Sequence, residues 1–343
     1  MNHTADFLLE APSLGDWRTG NAGVEGVWRF DSGVAGRNVL ITALVHGNEL
    51  CGAWALKGLL EAGVRPRRGR LTLAFCNLQA FDRFDPSNPD ASRFVDEDLN
   101  RQWLPERIAH ATSTERRRAA ELRPFVEQAD WLLDLHSMHE PGLPLSLTGL
   151  SPFNIELAAQ MRSPEHIVVD AGHKDGVRMR DFGRFGTQEG LAAGARSLLV
   201  ECGFHGDLQS RRVAQDQCVR FLVAAGALDE GDGATSLPGW RLPDADGQWI
   251  LEVTAGVVAR DSSPSFVQPF RGLEVIPKAG TVIGFNGEEI RTPYDDCVLV
   301  MPSLRQARPG VTIVRFARRR RVPMASALRD HLDALPSAFF SGL

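Results

Sequence analysis

His46 and Glu49 are two residues whose types and spacing could hold a metal ion. They follow an apolar run at 39–45 and precede an Ala- and Leu-rich segment at 50–60. This pattern predicts a strand that turns into a helix, with Gly47 allowing a sharp bend of the backbone. Imidazole nitrogen and carboxylate oxygen are both good ligands for zinc. The pair alone is weak evidence, because the same spacing is common on solvated helix faces.

Further polar residues follow two other apolar segments and one long loop. Asp134 and His136 end the segment 131–137, and Glu201 ends the segment 197–203. Asn100 and Arg101 close a polar loop that begins near residue 81. In open α/β sheets, ligands bind outside the carboxyl ends of the strands, so these residues are expected to lie together. Three strands with such ends favour a metal site over chance.

Two histidines and one carboxylate form the ligand set that leaves a fourth zinc position open for water. His46, Glu49 and His136 make up such a set, and zinc lowers the pKa of its bound water to about 7. Glu201 suits the base that relays the proton of this water to a leaving nitrogen. Either Arg93 or the zinc itself suits stabilisation of charge on the attacked carbonyl oxygen.

Three polar residues near this set have two interpretations each. Asp134 lies on the same strand face as His136, and it either orients that histidine or accepts backbone hydrogen bonds. Arg101 can pair with a carboxylate through two hydrogen bonds, and Asn100 adds a directional donor. The alternatives are a helix N-cap for Asn100 and a surface position for Arg101.

The bulk composition excludes several classes of function. The formal net charge of −5 comes from mixed acidic and basic residues, which argues against nucleic-acid or anionic-membrane partners. We find neither an apolar run of the ~20 residues that span a membrane nor a signal peptide. The scattered, odd set of cysteines predicts free, mostly buried thiols and a cytoplasmic location. These cysteines are Cys51, Cys76, Cys202, Cys218 and Cys297.

One concentrated basic run lies near the C-terminus, at Arg315 and residues 318–321. A polyanion contact would need such a cluster, but a solvated edge or a contact between copies of the chain is favoured. The sequence leaves the oligomeric state open, a homo-oligomer included.

Strand and helix patterns alternate up to residue 228, which predicts an α/β layer with a parallel or mixed sheet. The Gly-rich segment 229–234 predicts a linker, and short β-type runs follow it. Within them, Asn286-Gly287 predicts a hairpin turn. We therefore expect a catalytic α/β domain at 1–232 and a smaller all-β domain at 233–343, whose tail is predicted to be helical at 325–335.

Together these residues resemble the succinylglutamate desuccinylase/aspartoacylase family, a branch of the zinc carboxypeptidase-like fold. The resemblance covers residues 40–205, and more loosely the C-terminal β domain at 298–318. It rests on four motifs in order: His46-Gly47-Asn48-Glu49, Arg93 with Asp98-Leu99-Asn100-Arg101, Asp134-Leu135-His136, and Val200-Glu201-Cys202-Gly203. It implies a zinc-carboxypeptidase-like mixed sheet flanked by helices.

The resemblance also implies roles and a reaction. The matched residues imply one zinc ion per chain held by His46, Glu49 and His136, a general base at Glu201, carbonyl polarisation by Arg93, and carboxylate binding by Asn100 and Arg101. The family hydrolyses the amide of small N-acylated amino acids. Tyr294 would match a substrate-binding tyrosine of the aspartoacylase branch, although its position after Pro293 is also typical of a turn.

The chain departs from the family in one respect. Aspartoacylase-like proteins carry an arginine about ten residues before the catalytic glutamate, and residues 190–192 contain none. Arg180, Arg184 and Arg196 are nearby but out of register, which leaves recognition of a second substrate carboxylate open. Among the other histidines, His205 is expected to line the pocket, and His139 is expected in a loop or at the surface.

Two other functions compete with an N-acyl-amino-acid amidohydrolase. A metallocarboxypeptidase would use the same zinc chemistry on peptides, but a covering β domain favours a smaller substrate. A non-catalytic zinc- or ligand-binding protein would not need Glu201 and Arg93, whose presence argues against it.

Overall fold

The computed structural model describes residues 6–172, 176–260 and 263–322. The predicted helix at 325–335 lies outside these residues. Helices and strands alternate in the first two-thirds of the chain, as predicted. The strands there are β1 (Val27–Asp31), β2 (Asn38–Ala43), β3 (Arg70–Phe75), β4 (Trp131–Met138), β5 (Leu145–Leu147), β6 (His166–Val169) and β7 (Arg196–Phe204). The helices are α1 (Leu50–Glu61), α2 (Leu78–Phe81), α3 (Pro105–Ala109), α4 (Thr114–Gln128), α5 (Pro152–Met161), α6 (Gln188–Ala192), α7 (Leu208–Ala224) and α8 (Glu230–Ser236).

The rest of the described chain is β structure. Its strands are β8 (Trp249–Val258), β9 (Ser265–Phe266), β10 (Val275–Ile276), β11 (Val282–Phe285), β12 (Glu289–Arg291), β13 (Cys297–Val300) and β14 (Thr312–Arg321). Strands β9, β11 and β12 form a three-stranded antiparallel sheet. The predicted hairpin at Asn286-Gly287 joins β11 to β12, and Gly287 has a φ of 77°.

A large mixed sheet of eleven strands holds the described chain together, in the order β1-β3-β2-β4-β7-β5-β6-β8-β14-β13-β10. Its centre is parallel, because β2 pairs in parallel with β3 and β4, and β4 with β7. Antiparallel pairs occur towards both edges, as between β1 and β3 and between β8 and β14. The predicted mixed α/β sheet is therefore confirmed.

Helices cover both faces of the parallel centre. Ile41 of β2 packs in one core cluster with Leu56 of α1 and Phe221 of α7. Its neighbour Leu40 points to the other face and packs in a cluster with Phe125 of α4. This alternation follows from the two-residue period of a strand, and it explains why the central strands read as continuous apolar runs. The five cysteines are free and buried, as predicted.

The C-terminal strands extend the large sheet, since β8 pairs in parallel with β6 and carries β14, β13 and β10 beyond it. The predicted linker at 229–234 is wrong, because most of it lies in helix α8. Two ion pairs from Arg67 to Asp229 and Asp232 hold this helix. A Cβ atom at Gly233 would lie 3.0 Å from Val219, so glycine allows close packing there. The domain boundary after residue 232 stays a prediction.

The basic run at 318–321 makes its contacts within β8 and its neighbours. Arg318 lies over the ring of Tyr294, Arg319 and Arg321 lie over Trp249, and Arg320 pairs with Glu252. Arg318, Arg319 and Arg321 are exposed, whereas Arg315 of the same run lines the cavity described below, and the role of the run stays open. Across the described residues, no helix is long and apolar enough to cross a membrane.

Candidate active site

Parallel pairing brings the three predicted polar strand ends to one edge of the sheet. Strand β4 lies between β2 and β7, and His136 of β4 pairs in register with Glu201 of β7. The turn after β2 carries His46 and Glu49, and α1 begins directly after it. A Cβ atom at Gly47 would lie 2.4 Å from the Ala80 and Ser92 backbones, so only glycine fits in this turn.

His46, Glu49 and His136 form a compact buried cluster that could hold one metal ion. One donor atom of each lies within 4.8 Å of the others. Both Nδ1 atoms face the same carboxylate: His46 Nδ1 lies 2.7 Å from Glu49 Oε1, and His136 Nδ1 lies 2.7 Å from Glu49 Oε2. The distant positions 46 and 136 are thus brought together as the sequence predicted.

A carboxylate other than Glu49 contacts the Nε2 atom of each histidine. His46 Nε2 lies 3.0 Å from Asp98 Oδ1, and His136 Nε2 lies 2.9 Å from Asp134 Oδ2. Thr42 Oγ1 donates to the other oxygen of Asp134 over 2.7 Å. Carboxylates in this position fix the ring orientation of metal-binding histidines. The orienting interpretation of Asp134 is therefore favoured over a backbone contact.

The charges of the cluster also fit a cation. Burial raises the pKa of Glu49, but His46 and His136 outweigh burial and hold it well below its ordinary value. Burial lowers the pKa of His136, but Asp134 and Glu49 together raise it well above the ordinary value. A buried carboxylate that faces one nitrogen of each of two histidines is a donor set that fits one metal ion.

Glu201 is a buried carboxyl group beside this cluster. It is 7% exposed, and burial raises its pKa from 4.5 to about 8, with the charge of Glu49 acting in the same direction. His136 and Arg93 oppose this rise. Oε2 of Glu201 has no hydrogen-bond partner in the described structure. A carboxyl group that titrates near neutral pH is suited to accept and return a proton.

Arg93 approaches the cluster from the loop that precedes Asn100. Its Nη2 donates to Asp98 Oδ2 over 3.1 Å, and its Nη1 lies 3.5 Å from Glu49 Oε1. Nη1 also lies 3.3 Å from Nε2 of His139. His139 lies in the bend after β4, as the predicted loop position implies, and it also lines the cavity. The expectation that His205 lines the cavity is wrong, because His205 lies behind His139, with its Nε2 3.3 Å from His139 Nδ1.

Asn100 and Arg101 lie in a short 3₁₀ helix, Leu99–Arg101, at the cavity wall. Asp98 caps this helix by accepting from the Asn100 amide over 2.8 Å, so the N-cap interpretation of Asn100 is wrong. The Asn100 side chain is buried, with Oδ1 accepting from the Met179 amide over 2.9 Å. Its Nδ2 lies 3.5 Å from His136 Nε2.

Most of the predicted site residues line one cavity of about 170 Å³. Those that line it are His46, Glu49, Arg93, Asn100, Arg101, His136 and Glu201. Tyr294 does not line it. The Tyr294 hydroxyl bonds with Thr254 Oγ1 over 2.7 Å, and the ring packs under Arg318 in the C-terminal β structure. This position favours the turn interpretation of Tyr294 over substrate binding.

The cavity also holds cations that the sequence did not indicate. Arg178 is 4% exposed, and its Nε donates to Asp181 Oδ2 over 2.6 Å. Among the described residues, its Nη2 has no hydrogen-bond partner. Arg315 pairs with Asp170 over 2.9 Å at the same wall. The out-of-register arginines lie elsewhere: Arg180 bonds to Thr148 and Ser197, Arg184 to Asp130, and Arg196 to Leu191.

The fold and the site together define an α/β protein with a candidate metal centre at the carboxyl ends of its parallel strands. The catalytic-domain profile of the succinylglutamate desuccinylase/aspartoacylase family matches residues 35–219. The chain belongs to this family, whose members are hydrolase-type enzymes that act on amides. The resemblance seen in the four motifs is thereby confirmed. No curated protein matches the chain significantly.

Several solved structures share the fold. A succinylglutamate desuccinylase/aspartoacylase from Rhodobacter sphaeroides has a TM-score of 0.59 at 19% identity, over 83% of this chain and 86% of that one. A succinylglutamate desuccinylase from Chromobacterium violaceum has a TM-score of 0.58 at 20% identity, over 87% and 90%. The product-bound ectoine utilization protein EutE (DoeB) from Ruegeria pomeroyi has a TM-score of 0.57 at 16% identity, over 82% and 85%.

Proposed function

We propose that the chain is a zinc-dependent amidohydrolase that cleaves the amide bond of a small N-acyl amino acid, as a desuccinylase or deacetylase does. The observation that carries this proposal is the position of Glu201. A buried carboxyl group with a free oxygen and a pKa near 8 lines the same cavity as the His46, Glu49 and His136 cluster. The family and the names of its solved members support an amide substrate.

His46 and His136 would hold the metal through the Nδ1 atoms that face Glu49, and Glu49 would supply the third, anionic donor. Two nitrogens and a carboxylate oxygen are a common donor set of catalytic zinc. When bound, zinc would lower the pKa of a water molecule and polarise a carbonyl group. Asp98 and Asp134 keep the histidine rings in orientation through their Nε2 atoms.

Glu201 would act as the general base and then as the acid. Its carboxylate takes a proton from the attacking water and gives it to the amide nitrogen as the C–N bond breaks, so the amine leaves neutral. The raised pKa suits both halves of this transfer. Arg93 would stabilise the negative charge that develops on the carbonyl oxygen, because its Nη1 points towards the cluster.

Asn100 and Arg101 would bind the carboxylate of the amino acid at the cavity wall. Arg178 supports an acidic substrate, because its unpaired Nη2 would be satisfied by a second carboxylate. The small size of the cavity supports a single amino acid over a peptide. Tyr294 has no role in this proposal because it lies away from the cavity.

Metal analysis combined with Glu201→Gln kinetics tests the proposal. We expect full zinc occupancy in both proteins and a loss of turnover of about 100-fold or more in the variant. Glu156→Gln is the matched control, because it makes the same chemical change at a residue of α5 that does not line the cavity. Unchanged turnover in Glu201→Gln would exclude Glu201 as the base, and a loss of zinc would assign it to the metal site instead.

A further inference from the structure

The loop from Arg93 to Asp98 carries two residues of the candidate site, one at each end. Arg93 lines the cavity, and Asp98 supports His46. The start of the loop is joined to the turn that carries His46 and Glu49, because the Gly47 amide donates to the Arg93 carbonyl over 3.1 Å. Between these ends, the amides of residues 95–97 all donate to one buried side chain.

That side chain is Glu115, in the first turn of α4. It is 0% exposed, and its oxygens accept four hydrogen bonds. Oε1 accepts from the Val95 amide over 2.7 Å and from Asn77 Nδ2 over 2.9 Å. Oε2 accepts from the amides of Asp96 and Glu97 over 3.1 and 3.2 Å. No salt bridge to Glu115 occurs within the described part of the chain.

The loop also accepts a hydrogen bond from the helix. Asp96 Oδ2 accepts from the Thr114 amide over 2.7 Å, so the loop satisfies a free amide at the start of α4. A carboxylate in the first turn of a helix is also stabilised by the helix dipole. The loop and the helix therefore hold each other through Asp96 and Glu115.

Both oxygens of Glu115 accept from backbone amides, so these contacts need two acceptor atoms on one side chain. A glutamine would place an amide donor against one or two of these donors, which leaves them unsatisfied in a buried place. Glu115 touches neither the metal ligands nor the cavity. Its effect on the site must pass through the loop.

We propose that Glu115 is a positioning residue that holds the loop 93–98 so that Arg93 and Asp98 face the metal ligands. The role of Arg93 in turnover rests on the proposed function, whereas the hold on the loop does not. Loss of the hydrogen bonds from Glu115 to the loop would move the guanidinium group of Arg93. A small misplacement of a catalytic group costs up to about 100-fold in rate.

The test compares Glu115→Gln with Glu121→Gln in the full-length, zinc-loaded protein. Glu121 lies on the same helix but is exposed, and its Oε2 accepts from Arg118 Nη1 over 2.7 Å. Hydrogen exchange reports the amides of residues 95–97, and competition with a chelator reports zinc affinity. We expect Glu115→Gln to speed exchange of these amides about tenfold and to weaken zinc about tenfold, with no change in Glu121→Gln.

Kinetics then show whether the effect passes through Arg93. We expect Glu115→Gln to lower kcat about 10- to 100-fold in the wild-type background, with a smaller change in KM. At saturating zinc, which offsets the weaker support of His46 by Asp98, the same change in an Arg93→Met background is expected to lower kcat less than about twofold, because the other group that Glu115 positions is gone. A full further loss in that background would overturn the proposal, since it would indicate a general structural effect.

Unchanged exchange of amides 95–97 in Glu115→Gln would also overturn it, as would faster exchange with unchanged zinc affinity and kcat. If Glu115→Gln does not fold, Glu115→Asp keeps the charge but withdraws the carboxylate, and the same outcomes apply. A wild-type protein without turnover on N-acyl amino acids would defeat the proposed function instead. The exchange and zinc measurements would still decide whether Glu115 holds the loop.

Discussion

Replacing Glu201 with glutamine is expected to stabilise the metal-free protein at alkaline pH, although it removes a residue of the proposed mechanism. Burial raises the pKa of Glu201 to about 8 in the folded chain, against 4.5 for an exposed glutamate. The folded protein therefore keeps this proton in a range where the unfolded chain has already released it. The free energy of unfolding of the wild type falls as the pH rises from about 4.5 to about 8.

The size of the effect follows from the pKa difference. One pKa unit corresponds to about 1.36 kcal/mol, so the rise from 4.5 to about 8 sets an upper limit of about 5 kcal/mol. Glutamine has no proton to lose. The stability gained by Glu201→Gln is therefore expected to be near zero at about pH 4.5 and to level off at a few kcal/mol above about pH 8.

Urea unfolding of chelator-treated wild type and Glu201→Gln at several values between about pH 5 and about pH 9 measures this difference. Glu156→Gln serves as the control, because Glu156 lies outside the cavity and its replacement is expected to leave the pH dependence unchanged. A difference that stays constant with pH, or that shrinks as the pH rises, would refute a raised pKa of Glu201 as its source.

The other predictions concern one ligand and two arginines. His136→Ala is expected to lose its zinc in metal analysis, whereas His166→Ala keeps one ion per chain; stoichiometric metal in His136→Ala would refute the ligand assignment. Arg93→Met is expected to lower kcat about 100- to 1,000-fold with little change in KM in steady-state kinetics, and a change confined to KM would contradict charge stabilisation. Arg178→Met is expected to raise KM about 10- to 100-fold for substrates with a second carboxylate only, and an equal rise for monocarboxylates would exclude that role.

The sequence predicted the centre of the site because buried parallel strands leave a strong pattern. Continuous apolar runs at 131–137 and 197–203 end in polar residues, and parallel strands bring such ends to one edge. Strand register then places His136 beside Glu201. Residues that lie at these strand ends were therefore predictable without knowing the contacts between strands.

Residues on loops were less predictable, because long-range packing decides where they point. Arg178 enters the cavity from the chain after β6, without a spacing relative to Glu201 that would have indicated it. Asp98 belongs to a motif that the sequence showed, but its contact with His46 joins two separate loops and could not be predicted from either one. His139 lies in the loop after β4, as one of its two expected positions, but its contact with Arg93 was not indicated by the sequence.

In the C-terminal part too, local patterns predicted the elements but not their long-range packing. Its strands and its hairpin were predicted from local patterns, but the pairing of β8 with β6 depends on partners far apart in the chain. The helix α8 replaced a predicted linker, because packing of Gly233 on Val219 outweighs the low helix propensity of glycine. Tyr294 lies in the turn that its local sequence predicted, outside the cavity lining.

The central claim is that the cluster and Glu201 hydrolyse the amide of a small N-acyl amino acid. Incubating the zinc-loaded protein with N-succinyl and N-acetyl amino acids, beside C-terminal dipeptides, and measuring release of the free amino group tests it most directly. We predict release from the N-acyl amino acids and its loss in Glu201→Gln. Release confined to dipeptides, or equal release by the Glu201→Gln protein, would contradict the claim.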